Sequence, residues 1–395
     1  MRVLILHNQY QQRGGEDLVV SSEAQLLREA GFDVKLNIVN NSAIHSAHQK
    51  FQTAATAPFN FIQAERVRKV VKEWGADVVH IHNFHPLLSP SVHVGASRAG
   101  AAVIQTLHNF RTVCAGSLLL REGHICEKCI PRSSLWGIYH RCYKSSLPGS
   151  ISTVLMQHVA RRQWLKNQHV DRLITLTEFN RNKFAEAGFP LEKMVVKPNF
   201  LPDFAEQTRN RREKRGFLFV GRLSPEKGVG DILSAWSKLE DLELDIVGDG
   251  PQRRELEELR LPNIRFLGHR SPEDVRELME TREALLLPSI WYEGLPMTLV
   301  ESFRAGLPIL CSKIGSLAGL VTPGVNGFHF EPGNPNDIAA VVRRALSVPG
   351  LFAQLAKGAR RSYEMTYTPQ RNLELLTDVY RQALQARSNG NPLAN

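Results

Sequence analysis

The chain has 395 residues, 43% hydrophobic and 22% charged, which is too long for one ordinary core and fits two or three folded domains. No run of eighteen apolar residues occurs, which excludes a single spanning helix on sequence grounds. The net charge of +10 lies wholly in residues 1–200, with 24 Lys and Arg against 14 Asp and Glu, while residues 201–395 hold 25 of each. Such a half suits a phosphate-bearing acceptor, an anionic membrane surface or nucleic acid; a solvated basic face without a partner is the plain alternative.

Residues 3–7 read as a buried strand, and Gly14-Gly15 opens a loop into a helix over 17–30, where Val20, Ala24 and Leu27 share one face and Gly31 is the stop. Strands are predicted at 33–39, 77–82 and 102–107, with helices at 60–74 and 89–98 between them, and strands at 172–177 and 194–197 close the first domain. This alternation gives a parallel, doubly wound sheet of the α/β class. The opening Met-Arg-Val-Leu-Ile-Leu-His-Asn turns polar too early for a signal peptide, so a cytoplasmic chain is expected.

His80 and His82 alternate with apolar residues on a strand and share a face; satisfied structural histidines are the plain reading and a metal pair the sharper one. His108 ends the strand at 102–107, at the carboxyl edge where ligands of such sheets bind. Cys114, Cys126, Cys129 and Cys142 follow as Cys-x11-Cys-x2-Cys-x12-Cys, whereas Cys311 stands apart in an apolar run. Clustered thiols in a reducing compartment favour a metal over disulfides. A structural zinc held by four thiolates, with Cys126-Glu-Lys-Cys129 as its tight pair, is expected; an iron–sulfur cluster would use the same ligands, and unconnected thiols are the third account. Residues 132–172 then carry seven basic residues (Arg132, Arg141, Lys144, Arg161, Arg162, Lys166, Arg172) against one acid, Asp171. They lie beside the apolar and aromatic stretches 134–139 and 150–166, a pattern that suits an interfacial position on an anionic membrane as well as it suits ordinary packing with solvated charges.

Residues 201–215 turn polar and charged and read as a linker. From 216 the alternation restarts, with strands near 217, 243, 264, 284 and 308, helices near 229, 252, 273, 297 and 336, and a last helix over 372–387 striped by Leu376, Val379, Tyr380 and Leu384 before a frayed tail. Three stretches of this half carry chemistry. Phe217-Leu-Phe-Val-Gly-Arg-Leu-Ser-Pro-Glu-Lys-Gly228 is a strand, a glycine turn and two basic side chains, Arg222 and Lys227, at a helix entrance, an arrangement suited to a diphosphate. Leu244-Asp-Ile-Val-Gly-Asp-Gly-Pro251 is a second strand ending in a glycine turn. The apolar run 284–288 leads into Ser289-Ile-Trp-Tyr-Glu-Gly-Leu-Pro-Met-Thr-Leu-Val-Glu-Ser302. There Glu293 stands in a loop and Glu301 on the second turn of a helix whose opening N–H groups suit an anion. Two solvated glutamates on a surface loop are the plain alternative for that pair alone.

Taken in order, Gly221-Arg222 with Lys227, Val247-Gly-Asp-Gly-Pro251, and Glu293 with Glu301 seven residues apart resemble the family 4 glycosyltransferases, retaining enzymes of GT-B architecture, over about residues 1–385. The resemblance implies two Rossmann-like domains facing across a cleft: 1–200 acceptor-binding with a cysteine-bearing insert at 110–145, a linker at 201–215, 216–365 nucleotide-sugar-binding, and a terminal helix at 366–388 returning to the first domain. It implies a nucleotide-diphosphate sugar as donor, a glycan or lipid-linked acceptor of cell-surface polysaccharide synthesis, and no catalytic metal. Arg222 and Lys227 would hold the diphosphate with the backbone of Leu295, Pro296 and Met297 assisting. Glu301 would take the ribose, Glu293 the sugar hydroxyls, and the backbone around Gly268 the base. Gly221 would let the chain approach the ligand, and His108 with Gly14 and Gly15 would complete the site from the other domain. His108 matches the family's Thr-x-His position, where an aspartate often follows and this chain has Asn109. Retention in the family is assigned to front-face attack, so no protein nucleophile is implied, and its general members do not need the four cysteines.

Two other classes compete. A nucleotide-sugar epimerase of the same architecture would share the nucleotide site without transfer. A metal-stabilised nucleic-acid-binding protein would account for the basic half and the cysteines, but it leaves Arg222, Lys227, Glu293 and Glu301 unexplained, so nucleic acid is not an expected partner.

Overall fold

Short apolar runs alternating with amphipathic helices build two sheets. The computed structural model describes residues 1–10, 14–130, 133–166, 169–204 and 214–390. Arg132, the side chain of Lys166, most of the predicted linker (205–213) and the tail at 391–395 lie outside the described residues. The chain divides into one unit of Met1–Leu119, Cys126–Asn199 and Gln370–Asn395 and another of Leu120–Ile125 and Phe200–Pro369.

The first strands are β1 (Arg2–Gln9), β2 (Asp33–Asn40), β3 (Val78–Asn83) and β4 (Ala102–Leu107), followed by a short hairpin, β5 (Leu120–Arg121) and β6 (His124–Ile125), and then β7 (Arg172–Thr175) and β8 (Met194–Val196). Helices α1 (Gly15–Glu29), α2 (Ala47–Thr56), α3 (Phe61–Trp74), α4 (Ser91–Arg98), α5 (Leu135–Tyr139), α6 (Leu147–Arg161) and α7 (Glu178–Glu186) lie between them. The first unit's sheet has the order β2-β1-β3-β4-β7-β8 with every neighbour parallel. Because helices cover both faces of such a sheet, its inner strands are buried throughout, as β3 and β4 are. Helix α1 starts after Gly14, whose amide donates to the Asp17 carboxylate, and α3 is capped by Asn60 and stopped by Gly75 at φ +69°.

The second unit holds β9 (Phe217–Val220), β10 (Leu244–Val247), β11 (Ile264–Gly268), β12 (Ala284–Leu287), β13 (Ile309–Ser312) and β14 (Gly327–Phe330), with α8 (Val229–Trp236), α9 (Arg253–Glu257), α10 (Pro272–Thr281), α11 (Met297–Ala305), α12 (Gly315–Leu320), α13 (Pro335–Leu346) and α14 (Leu351–Thr366). Its sheet, again wholly parallel, has the order β11-β10-β9-β12-β13-β14. Phe217, Phe219, Trp236, Leu286 and Val342 pack in its core. The final helix, α15 (Pro369–Gly390), sends Leu376, Val379, Tyr380 and Ala383 into the first unit's core beside Val3, Val20 and Ile104. Strand order reverses between β1 and β3 in one sheet and between β9 and β12 in the other, and ligands of open parallel sheets bind at the carboxyl ends flanking such a reversal.

Candidate active site

In the second unit, the carboxyl ends of β9 and β12 feed two loops that pack on each other. Glycines permit this. Gly228, at φ +68°, lies where a Cβ would come 2.1 Å from the Pro288 carbonyl oxygen, and at Gly248, φ +133°, a Cβ would come 1.9 Å from that of Gly221. The Ile290 amide donates to the Glu226 carbonyl at 3.0 Å and ties the loops together. Their closure brings Lys227 and Glu293 into contact across 66 positions: Lys227 Nζ donates to Glu293 Oε1 at 2.6 Å. The same oxygen accepts from Ser289 Oγ at 2.7 Å and Trp291 Nε1 at 3.1 Å, and the ammonium sits 5.5 Å from the Trp291 ring centre. Glu293 is 6% exposed, a carboxylate held by three donors, whereas Lys227 stays partly open with further N–H donors for a second anion. Ser289 and Trp291 were not singled out from sequence, although they stand four and two positions before Glu293 in the same loop.

Arg222 is exposed and its guanidinium has no partner among the described residues. Gly268 ends β11 at φ +67° and its carbonyl accepts from the Gly248 amide at 2.9 Å. Helix α11 begins after Pro296, which supplies no side-chain cap, and Leu295, Pro296 and Met297 form the helix entrance beside Glu293 in the chain. Glu301 is half-buried on α11; burial raises its carboxyl above the ordinary range, with Arg304 opposing.

In the first unit, Gly14 and Gly15 are pinned at the start of α1, since Asp17 Oδ2 accepts from the Gly14 amide at 2.8 Å and Asp17 Oδ1 lies 2.8 Å from His7 Nε2. Behind them the ends of β3 and β4 and the following loops line a small open pocket that includes Glu16, His82, His85, His108, Asn109 and Arg111. Burial, then the Asp17 charge, pushes the Glu16 carboxyl up to about 8, with Arg111 opposing. Asn109 turns to its own loop, accepting from the Arg111 amide at 3.0 Å. The ring partner of His108 is His82, with His82 Nδ1 and His108 Nε2 3.0 Å apart. His80 is a satisfied core histidine, bonded to Tyr380 OH at 2.9 Å and Thr106 Oγ1 at 2.7 Å. Glu23 and Lys197, a buried ion pair beside these rings, were not found from sequence; the signal was a glutamate on α1 among the core positions Val20, Ala24 and Leu27.

The four cysteines converge: burial, then the charges of Cys114, Cys142 and Cys126, pushes the Cys129 thiol up to about 12. Cys114 and Cys129 are buried, and all four are free thiols. Among the described residues, the grouping whose ligand atoms lie within 4.8 Å of one another is Glu23, His80 and His82, and not the cysteines. Of the basic run, Arg141, Lys144 and Arg162 are exposed, but Arg161 turns inward to the Ala187 carbonyl and Arg172 bonds Gln382 Oε1 at 3.3 Å. No single described helix is long and apolar enough to cross a membrane.

The chain is similar to known proteins in both halves. The glycosyl transferase 4-like domain family matches residues 14–199, and the family Glycosyl transferases group 1 matches 202–362. Glycogen synthase of Mycobacterium tuberculosis is 30% identical over 246 residues, 59% of each chain, and 2-deoxystreptamine glucosyltransferase of Streptomyces kanamyceticus is 33% identical over 210 residues, 47% of this chain and 54% of that one. The chain spans about half the length of the curated relatives it matches. Among solved structures, HepE of Anabaena in complex with UDP shares the fold at a TM-score of 0.69 and 17% identity over 96% of this chain and all of that one. Sucrose-phosphate synthase of Thermosynechococcus elongatus does so at 0.70 and 16%, over 98% of this chain and all of that one. The chain thus carries a glycosyl transferase 4-like domain over residues 14–199 and a Glycosyl transferases group 1 domain over residues 202–362, on two parallel sheets of GT-B type.

Proposed function

We propose that the protein is a retaining hexosyltransferase that moves a sugar from a nucleoside-diphosphate sugar to a glycan or lipid-linked acceptor of cell-surface polysaccharide synthesis. The observation that carries this reading is the Lys227–Glu293 contact at the strand-order reversal of the second sheet. Charge grows on the diphosphate oxygen as the bond to the anomeric carbon breaks, and preorganised cations at that point lower the barrier. Lys227, aimed by Glu293, and the unpartnered Arg222 supply them, with the entrance of α11 adding its dipole. Glu301 takes the ribose, and Glu293 orients the donor sugar as well as Lys227. A new bond then forms between the anomeric carbon and the acceptor oxygen on the face the diphosphate leaves. The acceptor proton passes to the departing phosphate oxygen, so no protein nucleophile and no catalytic metal is called for. Uridine diphosphate is the first nucleotide to try, because HepE of Anabaena was solved with it. The test is release of nucleoside diphosphate from a panel of nucleotide sugars with and without an oligosaccharide or lipid-linked acceptor, with the product anomer read by NMR. Acceptor-dependent release with retained configuration supports the reading; an epimerised donor formed without acceptor contradicts it.

Two further properties belong to the first unit in this reading. Cys114, Cys126, Cys129 and Cys142 hold one structural zinc; Cys114, Cys126 and Cys142 lie near enough for their charges to act on the Cys129 thiol. Six of the eight non-glycine residues with positive φ among the described residues, Ser117, Leu119, Glu122, Arg141, Lys144 and Ser145, fall in this short insert, and such backbone persists where something over-determines it. The basic surface meets an anionic membrane. Leu147, Ile151 and Leu155 form an exposed stripe on α6, with Leu135 and Tyr139 of α5 also exposed and Arg141 and Lys144 close in sequence.

A further inference from the structure

A buried polar chain runs from the first unit's core to its pocket. Glu23 and Lys197 are 1% and 0% exposed, and the Lys197 ammonium donates to Glu23 Oε1. Burial alone would raise the Glu23 carboxyl, but Lys197 and His80 outweigh it and hold the carboxyl below its ordinary range. The other oxygen, Oε2, has no hydrogen bond and lies 3.4 Å from His82 Nε2, which has none either. On its far side the His82 ring lies nearly coplanar with His108 and edge to edge with it, with Nδ1 and Nε2 3.0 Å apart. His108 Nδ1 has no hydrogen-bond partner among the described residues, and its ring lines the pocket. A metal on Glu23 Oε2, His80 and His82 would have to sit against a carboxylate that Lys197 already neutralises through Oε1, and would have to break a bond to His80, whose two ring nitrogens are both engaged.

Burial lowers His82 well below its ordinary value and His108 to about 3, so both rings are neutral near pH 7 and each carries one N–H. Two proton arrangements fit the distances. In one, His82 Nε2–H faces the Glu23 carboxylate, and His82 Nδ1 accepts from His108 Nε2–H. In the other, both protons move to Nδ1 and the His82 Nε2 lone pair faces an anionic oxygen in a buried site, where unpaired like polarity is costly. The carboxylate therefore selects the first, because the bond made by one ring nitrogen sets the state of the other. Resting on the reading that a sugar substrate enters this pocket, we propose that Glu23 and His82 are positioning residues that hold His108 as its Nε2–H tautomer, presenting Nδ1 to the pocket as a hydrogen-bond acceptor for a substrate hydroxyl.

The experiment is NMR of the full chain with ¹⁵N-labelled histidine, using His108→Gln to assign the His108 signals. A protonated Nε2 with a bare Nδ1 is expected; a protonated Nδ1 overturns the proposal. In folded His82→Phe the two tautomers should both be populated, and a His108 still held wholly as Nε2–H overturns the positioning role. Should His82→Phe fail to fold, the Glu23→Gln/Lys197→Met pair, which removes one charge of each sign, carries the same two outcomes. With substrates, His82→Phe should lower kcat/KM about tenfold, the worth of one hydrogen bond, and leave affinity for free nucleoside diphosphate unchanged. Wild-type protein that binds no nucleoside diphosphate would contradict the transferase reading while the tautomer result stands or falls by itself.

Discussion

Replacing Glu293 by Gln keeps the shape of the side chain and removes the charge that holds Lys227. Glu293 Oε1 accepts from Lys227 at 2.6 Å, Ser289 at 2.7 Å and Trp291 at 3.1 Å. A hydrogen bond to a charged group contributes about 1.5–3 kcal/mol and a neutral one about 0.5–1.5 kcal/mol, so three bonds together weaken by at most roughly 3–4.5 kcal/mol. The Lys227 side chain is 24% exposed and water recovers part of this, which brings the expected loss to about 1–3 kcal/mol. Urea unfolding of Glu293→Gln, Lys227→Met and the double variant reads it directly: the double should lose less than the sum of the singles, since both remove the same contact. Transfer should fall further than stability, by on the order of 3 kcal/mol or about 150-fold in kcat/KM, because Lys227 loses its aim at the leaving diphosphate. Wild-type turnover in folded Glu293→Gln, or strictly additive unfolding energies, would refute the reasoning.

Arg222→Ala should leave thermal unfolding unchanged, because the guanidinium has no partner among the described residues, and should weaken nucleoside diphosphate binding in calorimetry; unchanged binding removes Arg222 from the site. Glu301 binds its proton more tightly in the folded chain, so its contribution is fully present below the ordinary glutamate range and is lost as pH rises through its raised pKa. Glu301→Gln should accordingly raise Tm at pH 8 more than at pH 4 while weakening nucleotide binding, and equal shifts at both pH values contradict this. Elemental analysis of protein purified without added metal should find about one zinc per chain, lost in Cys126→Ser/Cys129→Ser; iron in its place, or a metal-free stable chain, overturns the zinc. Co-sedimentation at low salt should favour anionic over neutral vesicles and weaken in Arg141→Gln/Lys144→Gln, each basic residue contributing about 1 kcal/mol near such a surface; no preference for anionic vesicles removes the membrane contact.

The alternation of strand and helix was legible because each inner strand is buried on both faces and so forms an uninterrupted apolar run, as Ala284–Leu287 does. Strand β14 was missed because Gly327–Phe330 carries half-buried Phe328 and His329 and leaves no such run. Helix α14 was missed because it starts after Gly350 without a side-chain cap, so the usual sequence signal for a helix entrance is absent. In the candidate site, residues were legible where one loop carries them and opaque where the sheet brings them together. Gly221, Arg222 and Lys227 announce themselves within one turn, but the Lys227–Glu293 contact needs β9 beside β12, and the Glu23–Lys197 pair spans 174 positions. Asn109 in place of the expected aspartate gave no hint that His82, 26 positions away, is the ring partner of His108.

The most direct test of the account is isothermal titration of the wild-type chain and of folded Glu301→Gln with UDP, GDP and ADP. Binding of one of these at about one molecule per chain by wild type, weakened in Glu301→Gln and carried by the second unit's residues, is the predicted result. Wild-type protein that binds none of the three, or Glu301→Gln and Arg222→Ala that bind as wild type does, would contradict a nucleotide site at the ends of β9 and β12.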